Sequence, residues 1–195
     1  MRVRLRWWLV GLSLLAMPAR AFEVAGFHGL AFGIPFAKAL AAFETSCTPK
    51  ALRDDMKVFV CDHWLGQPTL LLPLPRAGKL AGVVVALPEQ ADPIPGYARM
   101  RAKLQQELHD EGTEQFVTHT SDDDTDLCPE RAWQLRRVRQ GQGMLVTRWV
   151  DAQGNHVMLR TEFHPPRRWW VNVLFLASAK TLGLETPQPV IKVSL

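Results

Sequence analysis

Six short runs of β-branched and aromatic residues, each closed off by Gly, Pro or a polar turn, constrain this chain more than any other feature. They are Lys57–Trp64, Thr69–Leu74, Leu80–Leu87, Met144–Val150, His156–Phe163 and Trp169–Ala177. Runs of this length separated by turn residues predict antiparallel meanders. Gly66-Gln67-Pro68 and Arg76-Ala77-Gly78-Lys79 turn the first group, and Asp151-Ala152-Gln153-Gly154-Asn155 joins the first two runs of the second. Pro73 and Pro75 lack ladder donors, so Thr69–Leu74 is expected at a sheet edge or as a strand that ends early.

An apolar stripe at helical spacing precedes each group. Gly33-Ile34-Pro35 opens the first, and Phe36, Leu40 and Phe43 mark one face over about three turns. The second, Tyr97–Glu111, carries Tyr97, Met100, Leu104 and Leu108, with Gly112 expected to supply the left-handed residue that ends it. Thr45–Asp55 and Thr113–Glu130 read as polar breaks. Arg131–Gln140 fits both a helix (Ala132, Leu135, Val138) and an alternating strand (Trp133, Leu135). The expected fold class is therefore α+β, with two helices packed on antiparallel sheet in a tandem αβββ-αβββ arrangement. Its units are residues 22–95 and 96–180, joined through the proline-bearing Pro88–Gly96 and sharing one compact domain. A tail, 181–195, follows, in which Val190–Val193 could add a short strand.

The first 21 residues read as a cleavable signal peptide and not as part of the fold. Met1–Arg6 is basic, Trp7–Met17 is apolar, and Pro18-Ala19-Arg20-Ala21 ends in a small-x-small site, placing cleavage after Ala21. Eleven apolar residues span about 16 Å as a helix, roughly half of a hydrocarbon core, so no stable membrane insertion is expected after cleavage. The expected destination is the periplasm. The leader also sets the charge. The whole chain carries +4, with 23 Lys+Arg against 19 Asp+Glu; taking away Arg2, Arg4, Arg6 and Arg20 leaves 19 of each. A neutral mature chain has no global positive field for nucleic acid, so no nucleic-acid partner is expected.

Export also bears on the cysteines, since thiols pair in oxidising compartments. Of the three, Cys47 and Cys61 are expected to form a disulfide tying the end of the first helix to the next strand, with Cys128 left as a buried, inert thiol. No cofactor and no metal site is expected. There is no C-x-x-C pair or His-rich cluster. The acidic loop with Asp122, Asp124 and Asp126 has EF-hand spacing at its start, but Leu127 and Trp133 stand where that loop needs Gly and Glu.

Catalytic motifs are equally sparse. No G-x-S-x-G elbow or phosphate cradle occurs, and in Cys61-Asp62-His63 strand alternation would put Asp62 on the opposite face from the other two. Arg and Trp, by contrast, recur on or beside the last three expected strands at Arg148, Trp149, Arg160, Arg167, Arg168, Trp169 and Trp170. Both residue types are enriched at binding hot spots, and alternation points one of the tandem tryptophans away from the helices. These seven residues form the candidate partner-binding set. In element order the chain resembles small exported inhibitor proteins of the beta-lactamase-inhibitory type. The expected function is a non-catalytic, exported protein-binding module, inhibitor-like or immunity-like, with a protein partner in the cell envelope. The alternatives are an accessory factor for envelope or secretion-system assembly and a small periplasmic hydrolase.

Overall fold

The computed structural model describes residues 23–53, 56–61, 68–87, 91–118, 130–164 and 168–184. A short hairpin, β1 (Gly26–Phe27) and β2 (Leu30–Ala31), leads into α1 (Phe36–Ser46). Four strands follow: β3 (Thr48–Arg53), β4 (Met56–Cys61), β5 (Thr69–Arg76) and β6 (Lys79–Ala86). Then come α2 (Pro93–Leu108), β7 (Thr113–Thr118), α3 (Arg131–Arg139), β8 (Gly143–Val150), β9 (His156–His164) and β10 (Arg168–Leu176). The fold is α+β, and β3 to β10 form one eight-stranded antiparallel sheet in the order β3-β4-β5-β6-β10-β9-β8-β7. Two four-stranded meanders thus meet where β6 pairs with β10, with Val83 opposite Phe175 and Val85 opposite Val173.

Several expectations are corrected. Three helices, not two, form among the described residues, because Arg131–Arg139 takes the helical alternative and buries Val138. Each meander has four strands where three were expected. The added strands, β3 and β7, are the outermost of the sheet, where pairing on one side alone suffices and a proline or charged residue is tolerated. Thr69–Leu74 is interior, not an edge: β5 lies between β4 and β6, and its ladder shifts register at Leu74/Pro75. α2 begins at Pro93, four residues before Tyr97, because prolines are harmless in a first turn whose N–H groups have no helical partner, and Asp92 accepts the N–H of Ile94 at 3.0 Å. Its left-handed terminator is His109 (φ 53°). Gly112 is left-handed too (φ 67°), but it lies beyond the helix end, where a Cβ would stand 2.6 Å from the ring of Trp149.

All three helices lie on one side of the sheet. Ala39 and Phe43 of α1, Tyr97, Met100 and Leu104 of α2, and Val138 of α3 share a single core with one side-chain row per strand, including Phe59, Leu71, Val85, Val173, Leu159 and Leu145. Cys47, just past α1, is bonded to Cys61 at the end of β4. This disulfide is compatible with export. Among the described residues no helix is long and apolar enough to cross a membrane. The expected signal peptide, Asp62, His63, the acidic loop with Cys128, Arg167 and Val190–Val193 lie outside the described residues.

One end of the sheet is bolted by Asp151 and Asn155. The Asp151 carboxylate accepts N–H groups from Val24 (2.9 Å), Gln153 (2.9 Å) and Asn155 (2.8 Å), together with the Asn155 side-chain amide (2.9 Å). The Asn155 carbonyl in turn accepts from Ser178 N–H and Thr181 Oγ1. Burial pushes Asp151 up, but the donors from Val24, Asn155 and Gln153 outweigh it and hold the carboxyl below the ordinary carboxylate range. A lowered folded-state value means that this stabilisation is complete above the unfolded-state value of about 3.9 and is lost as pH falls through the folded value. We expect Asp151→Asn to cost about 1–3 kcal/mol at neutral pH, because its amide would face N–H donors. Urea titrations of both chains should show the native stability dropping below about pH 4, with a flatter profile for the variant.

Candidate functional site

Alternation along the strands leaves a second face that no helix of the described residues covers. One register row crosses the whole sheet: Thr48, Val60, Leu70, Ala86, Asn172, Arg160, Val146 and Gln115. The next runs through Leu72, Val84, Leu174, Met158, Arg148 and Thr113. A third joins Leu74, Gly82, Leu176, His156 and Val150. A face turned to water would normally alternate polar against the apolar core side. Here Val, Leu and Met occupy most of it, and Val150 and Val117 are the most exposed large apolar residues.

A polar knot interrupts the apolar rows near their centre. The Arg160 guanidinium (Nη2, 2.8 Å) and the Asn172 amide (Nδ2, 2.7 Å) both donate to Oε2 of Glu162. His164 Nε2 lies 3.4 Å from the other Glu162 oxygen, and its ring meets that of Trp170 edge-on at 6.3 Å. The Glu162 anion thus fixes Arg160 in the plane of the face, while Arg160 and Glu162 each keep a third of their side-chain surface in solvent. Two polar atoms of the knot, Nε of Arg160 and Oδ1 of Asn172, are buried without a hydrogen-bond partner. Asn172 is only 6% exposed.

The seven sequence-derived residues divide between the two sides of the sheet. Arg148, Arg160 and Trp170 stand on the open face. Trp149 and Trp169 are on the helix side and buried, at 1% and 4% exposure, and Trp149 donates its Nε1–H to the Asp110 carbonyl at 3.0 Å. These two tryptophans are core residues, so the open surface does not include them. Arg168 begins β10 opposite His164, and Arg167 is outside the described residues. Sequence reading passed over Glu162, Asn172 and the apolar rows. The signal was present in the same alternation that separated Trp169 from Trp170, carried through β9 as His156, Met158, Arg160, Glu162 and His164.

A second polar cluster lies under the helices. Tyr97 Oη is 2.5 Å from Thr147 Oγ1, and Glu114 accepts from Arg101 (2.9 Å), Arg131 and, at 3.4 Å, Tyr97. Burial drives the Tyr97 phenol far above its ordinary value; the Thr147 hydrogen bond opposes this and the Glu114 charge adds to it. The cluster joins α2, β7, α3 and β8, which is a structural task. Cys61 is held in the disulfide, and among the described residues no group of three or more His, Cys, Asp or Glu side chains could hold a metal ion. Comparison with known proteins adds no relative: no family model, no curated protein and no solved structure matches this chain.

Proposed function

We propose that the mature chain is an exported, non-catalytic protein-binding module, inhibitor-like or immunity-like, which docks a protein partner in the periplasm through the open face of its sheet. The observation that carries this reading is a largely apolar face that no helix of the described residues covers, with a pre-formed Arg160–Glu162–Asn172 knot at its centre. Eight strands at about 4.8 Å spacing make a face roughly 34 Å wide. With strands about 20 Å long, this approaches the ~800 Å² that one partner contributes to a standard interface. Extended apolar surface on a soluble protein marks interaction sites. Arg148, Arg160 and Trp170 supply the rigid, forked and aromatic groups from which hot spots are made. The two helix-plus-meander halves are read as an internal duplication that built this broad surface. An oxidised Cys47–Cys61 pair and a basic, apolar leader support the periplasmic assignment.

The test is to place a photo-crosslinking residue at Met158 or Leu174 on the open face, and at Lys103 on α2 as a control. Crosslinking should join one defined protein, in one-to-one ratio, to the open-face positions alone. Met158→Asp with Leu174→Asp should weaken that complex at least tenfold while the chain stays folded. Unchanged binding by this folded double variant would refute the reading. An inhibitor will also abolish the captured partner's enzymatic activity, whereas an assembly factor will leave it intact.

A further inference from the structure

The two edges of the sheet are built differently. β3 carries Pro49, which has no N–H, the exposed Lys50, and a register shift between Ala51 and Arg53. Prolines, lysines and bulges are among the means by which an edge strand avoids pairing with another chain. β7 has none of them. Its sequence, TEQFVT, contains no Pro, Gly, Lys or Arg, and all six residues pair with β8 in unbroken register, from Thr113 opposite Arg148 to Thr118 opposite Gly143. Thr, Phe and Val are strong strand formers. On the open face β7 presents Thr113, Gln115 and Val117, all exposed and uncharged, with Val117 at 37%. Its one charge, Glu114, is turned to the helix side and neutralised by Arg101 and Arg131. Among the described residues no strand pairs with the outer side of β7.

We propose that β7 is the pairing edge for a second copy of this chain. β7 of one protomer runs antiparallel to β7 of its partner across a twofold axis normal to the sheet, so two eight-stranded sheets continue as one with both open faces on the same side. The strand is self-complementary in this arrangement, as an isologous contact requires. In the register centred on Gln115, Thr113 stands opposite Val117 and Glu114 opposite Phe116 of the other copy, so no like charges face each other. The mature chain's balanced charge, 19 basic against 19 acidic residues once the leader's four arginines are removed, opposes association with no net repulsion. A five-residue strand pair, Thr113–Val117 on each copy, is a small contact, so association is reversible and concentration-dependent. It is independent of any partner docked on the open face.

Sedimentation velocity of the mature protein, from low-micromolar to sub-millimolar concentration, should show the mass rising toward twice that of the monomer. Gln115→Lys with Val117→Lys sets lysines beside one another across the axis and should hold the chain monomeric throughout, with unchanged circular dichroism. Met158→Asp, on the open face but away from β7, should leave dimerisation intact. Should the double lysine variant not fold, Gln115→Cys in a Cys128→Ser background gives an independent reading. Under mild oxidation it should form a covalent dimer, and Lys50→Cys on β3 should not. A native chain that stays monomeric overturns the proposal. So does a dimer that survives in the folded double variant, one that is lost with Met158→Asp, or, where the cysteine pair decides, crosslinking at Lys50→Cys in place of Gln115→Cys.

Discussion

Trp149→Ala is expected to cost about 3–5 kcal/mol, the range for removing a large buried aromatic side chain. Trp170→Ala is expected to cost about 1 kcal/mol or less, because the ring is only half-buried on the open face, where it meets His164 edge-on. The two residues come from the same Arg/Trp-rich part of the chain, yet their environments are opposite. Trp149 is buried in the core, packs against Gly112 and satisfies its N–H on the Asp110 carbonyl. Truncation leaves a cavity and an unpaired carbonyl together. For a chain of this size each kcal/mol shifts the melting temperature by roughly 2–4 °C, so thermal melts will separate the variants clearly. Partner binding should divide the other way, with Trp170→Ala folded but weakened and Trp149→Ala failing only through loss of fold. Similar melting temperatures for the two would contradict the side assignment of the strands.

The disulfide gives the second large effect. Cys47 and Cys61 are 14 residues apart, and closing a loop of that length restricts the unfolded chain by about 3 kcal/mol in the chain-entropy model. The bond also anchors the C-terminal end of α1 to β4, near the β3 edge where the sheet has no further strand to support it. Cys47→Ala with Cys61→Ala, in a Cys128→Ser background, should lower stability by about that amount in urea titrations. Adding reductant should bring the Cys128→Ser chain to the same midpoint and leave the triple variant unmoved. Equal midpoints for the oxidised chain and the triple variant would show that the bond contributes nothing.

The legible parts of this fold were those in which hydrophobic periodicity and burial coincide. Phe36, Leu40 and Phe43 located α1, Tyr97 to Leu108 located α2, and six β-branched runs located the six inner strands. The outer strands escaped because an edge has few apolar neighbours to demand a pattern: Thr48–Arg53 contains Pro49, Lys50 and Arg53, and Thr113–Thr118 contains one Phe and one Val. α3 was ambiguous for a related reason. Its four arginines match its four apolar residues in number, and tertiary packing of Val138, with Trp133 against Phe116, decides its conformation. The open face was half visible. Residue types marked Arg160 and Trp170, but Trp149 and Trp169 carry the same types and go to the core. Glu162 and Asn172 gained meaning only when β9 and β10 were seen to pair side by side.

The placement of β10 has a consequence for how the molecule comes into being. β6 is complete by Ala86, but its outer neighbour is Arg168–Leu176, the final strand of the sheet. Val24, near the start of the described chain, waits for an aspartate 127 positions downstream. A polypeptide delivered amino-terminus first would therefore hold half a sheet with a raw central strand until its last segment arrived. Such high contact order implies slow folding and a nascent form vulnerable to aggregation.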